Sequence, residues 1–470
     1  MKFLSLLALP LIFLSPVSPA EETSSKQPNI LLICVDDLRP ELACYGRTHM
    51  HTPHMDSLAK QGRLFSRHYV HSPTCGVSRF SLLTGKYPRK PSDRNNPVIH
   101  NYAKKNILPP TLPQVFKNNG YTTVAIGKIS HYPGGLVGED WNDPEQEEMP
   151  GAWSKSLMPS GEWKTPRVAM HGVANGIARV RGKTPAVEIK EGPDTIYPDG
   201  LITQSAVTQL SALKKEEKPW FLAVGLIKPH LPFTAPQKYW DLYEGKKLPA
   251  VKNPEKPARD LTWSKSGEFF SGYSHAVKKP RKDSNYAALV RRHYYASVSY
   301  ADAQIGKILS ALKQSNQMEN TIIVLWGDHG WNLGERSIWG KHNLYEESLH
   351  APLIICLPNM KQPGLPASAI TETCDIFPTL CELSGLTPPD GLDGTSLTPQ
   401  LKKPEAPTDG LAISFWRKSQ SLRTDQYRLT RQQSDGKKDY NLFLFPETEA
   451  PDAKQVSEVV ESLSGKFVNP

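Results

Sequence analysis

The chain has 470 residues, with 56 Lys+Arg against 47 Asp+Glu, a net charge of +9 and six cysteines. At this length a single core gives way to one large and one smaller domain, and six cysteines are too few for a disulfide-built scaffold. The basic balance suits a polyanionic partner, and no nucleic-acid-binding motif accompanies it.

In chain order, Met1-Lys2, an apolar stretch from Phe3 to Leu14 and the small residues Ser18-Pro19-Ala20 read as a secretory signal over residues 1–20. The apolar stretch is too short and too broken by proline to span a bilayer, so no stable membrane anchor is expected. Asn29 to Val35 is a near-continuous apolar run, the pattern of a strand buried on both faces of a parallel sheet, and Asp36-Asp37 end it. Ser78 to Leu83 reads as the start of a helix with Cys75 just before it, a place where a helix N-terminus favours anions and lowers a thiol pKa. A further run ends at Ile126 and is followed by Gly127-Lys128-Ile129-Ser130-His131.

Trp141 to Ile196 is rich in Pro and Gly with little periodicity, as is Lys246 to Lys282, and both are expected to shape the rim of a binding site. Between them, Phe221 to Leu226 reads as another buried strand, leading into Lys228-Pro229-His230-Leu231-Pro232-Phe233. Tyr294 to Gln314 has helical spacing. Thr321 to Trp326 is a strand-like run ending in Gly327-Asp328-His329-Gly330. Phe377 to Leu386 reads as a short core helix. Leu401 to Pro407 reads as a linker, and Leu411–Phe415, Tyr427–Thr430 and Tyr440–Phe445 as short strands. The domain reading is therefore a large domain over 21–400 and a small C-terminal subdomain over 401–470.

Two strands thus deliver acidic residues to one sheet edge, where open α/β sheets bind ligands. Asp36, Asp37 and Asp328 would supply most of the shell of a hard divalent cation such as Ca²⁺. Cys34 reads as a buried thiol. Cys374 and Cys381 lie about two helical turns apart, too far to bridge. His54, His68, His71, His100, His293, His342 and His350 read as structural.

Pro73-Thr74-Cys75-Gly76-Val77-Ser78-Arg79, followed by Leu82-Leu83-Thr84-Gly85-Lys86, resembles the signature of the formylglycine-dependent sulfatases. Val77 stands where that family usually has Pro or Ala. Ile33 to Pro40, Cys44-Tyr45-Gly46, Gly327 to Trp331 and Leu333-Gly334-Glu335 resemble the iduronate-2-sulfatase branch, most other branches having Asn where His329 stands. The resemblance runs from about Asn29 to about Leu386. It implies an alkaline-phosphatase-like α/β fold with a mostly parallel, helix-flanked sheet and a small C-terminal antiparallel-sheet domain.

The resemblance also implies chemistry. Cys75, oxidised to formylglycine by a maturation enzyme and hydrated to a gem-diol, would attack sulfur, with Asp328 as its base. A covalent sulfo-enzyme would form. Asp36, Asp37, Asp328, His329 and the residue at Cys75 would hold one divalent ion, Ca²⁺ rather than Mg²⁺. Arg79 would hold the diol and Lys128 a sulfate oxygen. His131 would take the proton that releases sulfate, and His230 and Lys341 would assist departure of the alcohol. The implied substrate is a sulfated carbohydrate, with a 2-O-sulfated uronic acid foremost. The rival readings are a phosphoester or phosphonate hydrolase of the same fold and a silent glycan-binding relative that keeps Cys75 as a thiol.

Overall fold

The computed structural model describes residues 27–258, 261–434, 436–445 and 452–468. The signal-like segment 1–20 lies outside them. Its centre is an eight-stranded sheet. In chain order the strands are β1 (Asn29–Val35), β2 (Arg63–Tyr69), β3 (Thr122–Gly127), β4 (Lys155–Leu157), β5 (Trp220–Leu226), β6 (Thr321–Gly327), β7 (Leu353–Cys356) and β8 (Ala367–Glu372). They lie side by side as β8-β2-β7-β6-β1-β5-β3-β4. Only β7 runs antiparallel to its neighbours.

All seven residues of β1 are buried, as its unbroken apolar run predicts. The two-residue period of a strand divides them between two cores. Leu31, Ile33 and Val35 pack with the helices α1 (Pro53–Gln61), α4 (Pro198–Leu213) and α5 (Ser284–Gln314). Ile30, Leu32 and Cys34 pack on the other face with α2 (Cys75–Thr84), α3 (Leu112–Asn118) and α6 (Ile376–Leu383). Each fully buried Leu or Ile contributes about 1.5–3 kcal/mol, so the double-sided burial of β1, β5 and β6 fixes the sheet centre.

Several elements differ from their sequence reading. Helix α5 spans 31 residues and begins at Ser284, capped by the Asp283 carboxylate, which accepts from Tyr286 N at 2.8 Å. Helix α2 begins at Cys75 itself. The expected linker at Leu401 starts inside a short helix, Thr398–Lys402. Beyond it stands an antiparallel sheet of β9 (Ala412–Trp416), β10 (Ser419–Arg423), β11 (Tyr427–Ser434) and β12 (Lys437–Leu444), covered by α7 (Ala453–Leu463). Strand β10 is polar in sequence yet wholly buried. All six cysteines are free thiols. Among the described residues no helix is long and apolar enough to cross a membrane.

Candidate active site

The register of the central strands builds the site. Val35 of β1 lies opposite Gly327 of β6 and Leu226 of β5, and Gly127 of β3 lies opposite Gly225 of β5. The four parallel strands therefore end in a row, and the residues just past those ends converge: Asp36-Asp37, Asp328-His329, Lys228 to His230, and Lys128 to His131. Asp37 holds a left-handed backbone (φ 57°). Helix α5 props that turn, since Tyr294 Oη donates to Asp37 O at 2.8 Å and accepts from Arg39 N at 3.1 Å.

Cys75 enters from the opposite side, as the first residue of α2. All ten residues of this helix are buried. Gly76 is required there, because a Cβ would lie 2.1 Å from the Asn96 carbonyl oxygen. Cys75 Sγ sits 3.3 Å from His329 Nε2 and 3.2 Å from Lys341 Nζ. Lys341 Nζ also donates to Asp37 Oδ1 at 2.7 Å, and Lys128 Nζ is paired with Asp36.

Ligand atoms of Asp36, Cys75, Asp328 and His329 lie within 4.8 Å of one another, as do those of Asp36, Asp37, Cys75 and His230. The donor set fits a hard divalent ion on its own chemistry. Asp36 Oδ1 and Asp37 Oδ2 are buried without a hydrogen-bond partner. His329 Nδ1–H donates to the Gly330 carbonyl at 3.1 Å, leaving the Nε2 lone pair toward the carboxylates, the arrangement of a ligating imidazole. Burial, reinforced by the neighbouring Asp36 charge, pushes the Asp328 carboxyl up to about 7, a condition a divalent cation relieves. Burial opposes the Asp36 charge too, but Lys128, His230 and Arg79 hold this carboxyl well below its usual range.

One expectation changes. The helix N-terminus does not activate the thiol: burial and the Asp36 charge raise Cys75 far above an ordinary thiol despite Lys128 and Lys341. Desolvation outweighs the helix dipole because the whole first turn is sealed. Arg79, expected to hold the diol, makes its hydrogen bonds to the frame around position 75, and its Nη2 is buried without a hydrogen-bond partner. Its Nε donates to Asp328 Oδ2 at 3.0 Å, Nη1 to the carbonyls of Lys128 and Ile129, and Nη2 lies 3.5 Å from Asp36 Oδ1. Asp328 in turn accepts the Asp37 N–H at 2.9 Å on Oδ1. Each Asp328 oxygen thus accepts one hydrogen bond.

Above Cys75 opens a cavity of about 310 Å³. His131, His230 and Lys341 line it, as the sequence reading requires, joined by Trp141, His171, Arg179, Arg181, Glu268 and His342. His131 Nδ1 and His171 Nδ1 are buried without partners, and Glu268 Oε1 stands 3.8 Å from His230 Nε2. His342, read as structural, is a wall residue, stacked on Trp416 at 4.9 Å and bonded to Thr74 Oγ1 at 3.0 Å. His100 does not line the cavity.

The sulfatase family model matches residues 28–386, well over half of the chain. The chain belongs to the sulfatase family. A second model, the C-terminal part of N-sulphoglucosamine sulphohydrolase, matches residues 334–443 of this sulfatase. The sulfatase is 32% identical to iduronate 2-sulfatase of Homo sapiens over 394 residues, 77% of this chain and 70% of the relative. It is 31% identical to a sulfatase of Formosa agariphila over 448 residues, 88% of this chain and 80% of the relative. Among solved structures it superposes on the phosphonate monoester hydrolase of Silicibacter pomeroyi with a TM-score of 0.72 at 24% identity, covering 94% of each chain. That likeness shows the alkaline-phosphatase-like fold, with its mixed, mostly parallel sheet and C-terminal antiparallel sheet. As a sulfatase, the chain is a sulfuric ester hydrolase.

His171, Arg179, Arg181 and Glu268 of the sulfatase were not singled out in its sequence. They come from the two irregular segments expected at the rim, which place them by tertiary packing rather than by any repeating pattern. The only signal was compositional: cations and an imidazole inside a long Pro/Gly-rich stretch.

Proposed function

We propose that this sulfatase cleaves sulfate esters of carbohydrates, with a 2-O-sulfated uronic acid as the preferred unit and formylglycine at position 75 as the nucleophile. The observation that carries the reading is the position of Cys75, where the metal-type donors, Lys341 and the floor of the cavity meet. Arg179 and Arg181 on the cavity wall suit a substrate with a further anionic group, as a uronic acid has. The 32% identity to an iduronate 2-sulfatase supports the same unit.

Formylglycine, once hydrated, supplies an oxygen nucleophile for sulfur, and a bound Ca²⁺ supplies Lewis-acid charge at the sulfate. Asp36, Asp37, Asp328 and His329 would hold that ion beside position 75. Lys128 and Lys341 bring fixed positive charge to a sealed site, where it stabilises the equatorial oxygens of the departing sulfate most strongly. His131, its Nδ1 unpartnered in the cavity, accepts the proton whose removal lets sulfate leave. His230 and Lys341 line the cavity with Cys75 and would protonate the departing alcohol oxygen. Arg79 holds Asp36, Asp328 and the Lys128 loop in one frame. The partners this requires are a maturation enzyme for Cys75 and, from the basic and apolar start of the chain, an export route to the periplasm or the exterior.

Mass spectrometry of the peptide carrying Cys75, from protein made together with a maturation enzyme, tests the reading alongside sulfate release from 2-O-sulfated uronates. An aldehyde and release of sulfate are expected. An intact thiol with no turnover overturns it.

A further inference from the structure

We infer that a second cavity, separated from the nucleophile's cavity by Trp141, seats the sugar next to the sulfated one. This rests on the carbohydrate reading above and goes beyond it: the substrate is a unit within a chain of sugars, held by two adjoining subsites.

Trp141 is the wall common to both cavities. The second cavity has a volume of about 340 Å³, and its lining includes Asn142, Ser156, Met158, Ser160 and Lys164 beside Trp141. An indole with amide, hydroxyl and ammonium groups around it is sugar-binding chemistry. The apolar C–H face of a pyranose packs on the ring while its hydroxyls take the polar groups. Lys164 adds a cation whose ammonium group has no hydrogen-bond or ion-pair partner among the described residues. It suits a sulfate or carboxylate on the neighbouring sugar.

The wall is built to stay in place. The Trp141 ring is surrounded by Tyr132, His131 and His171 at centroid distances of 5.3, 6.0 and 6.2 Å. Two of those rings line the nucleophile's cavity, so Trp141 is coupled directly to the reacting side. Asp140, Trp141 and Lys164 all hold left-handed backbones, with φ of 57°, 60° and 66°. Such conformations are costly for residues other than glycine and cluster where a side chain must be aimed. The short helix Pro166–His171 spans the two spaces, with Pro166 in the second cavity and His171 in the first.

The test is binding, measured by calorimetry on the full chain carrying Cys75→Ala so that turnover plays no part. The probes are a 2-O-sulfated uronate monosaccharide and the disaccharide in which that unit is joined to a second sulfated sugar. The disaccharide is expected to bind at least about tenfold tighter, and adding Trp141→Ala or Lys164→Ala should erase most of that ratio. Lys164 is exposed, so its variant carries the test even where the Trp141 variant folds poorly; an unfolding curve on each monitors this. Equal affinity for the two probes, or a ratio untouched by Lys164→Ala, overturns the second subsite and leaves the carbohydrate reading standing. No binding of either probe overturns both.

Discussion

Arg79 Nε donates to Asp328 Oδ2 at 3.0 Å with both side chains fully buried. This bond ties the helix that carries Cys75 to the strand end that carries two of the metal-type donors. Arg79→Ala leaves Asp328 buried and unpaired, and should cost about 3–5 kcal/mol of stability together with nearly all activity. Arg79→Lys should fold better yet remain impaired, since one ammonium cannot replace a fork reaching two carboxylates and two carbonyls. Urea unfolding of both variants checks the order.

His329 offers Nε2 to the carboxylates, 3.4 Å from Asp37 Oδ1 and 3.7 Å from Asp328 Oδ1. His329→Ala should weaken Ca²⁺ binding by roughly 10- to 100-fold, and His329→Asn by less, because it restores an oxygen donor. Calorimetric titration with Ca²⁺ measures both. Ca²⁺ affinity unchanged in both variants would mean that His329 is not a ligand.

Gly225 on β5 faces the loop that carries Lys128, and a Cβ there would lie 2.0 Å from the Lys128 carbonyl oxygen. Gly225→Ala must therefore push this backbone away from the site. The expected result is about 1–3 kcal/mol lost in unfolding experiments and a larger fall in kcat than in KM.

Much of this frame is legible in the sequence alone. Asp36 and Asp328 could be paired from sequence because each ends a continuous apolar run, and two buried parallel strands bring their ends to one edge. Lys128 and His230 follow in the same way. His171, Glu268 and Arg179 escaped because no period or turn signal specifies where a long irregular segment folds back. The state of the Cys75 thiol is not legible there, because helix position is a local property, whereas burial depends on every element packed around it.

Acid should loosen the junction between the two sheets. His71 is buried, with Nδ1–H donating to Ile413 O at 2.8 Å and Nε2 accepting from Cys374 N at 3.3 Å, beside Glu372 at 3.7 Å. Burial lowers its pKa from 6.5 to about 4. Between those values the unfolded chain takes the proton more readily. The contribution is therefore present above about pH 6.5 and lost as pH falls toward 4. The size is roughly 3 kcal/mol, from 1.36 kcal/mol per pH unit. Comparing urea unfolding of the parent chain and His71→Gln at pH 7.5 and about pH 4.5 should show a flatter dependence in the variant.

Lys341 bridges Asp37 and Cys75, at 2.7 Å and 3.2 Å. Lys341→Ala should lower kcat by about 10²–10³ and leave Asp37 without its ion pair, while Lys341→Arg should recover little in so tight a space. Single-turnover sulfate release separates this chemical loss from any change in affinity.

The sealing of α2 also sets a timetable. With every residue from Cys75 to Thr84 buried, the folded surface offers no other protein a grip on the segment. On the function proposed above, an enzyme that converts Cys75 to formylglycine would have to act while this stretch is still an extended peptide. On that reading, the yield of working catalyst is set by a race between that enzyme and collapse of the chain.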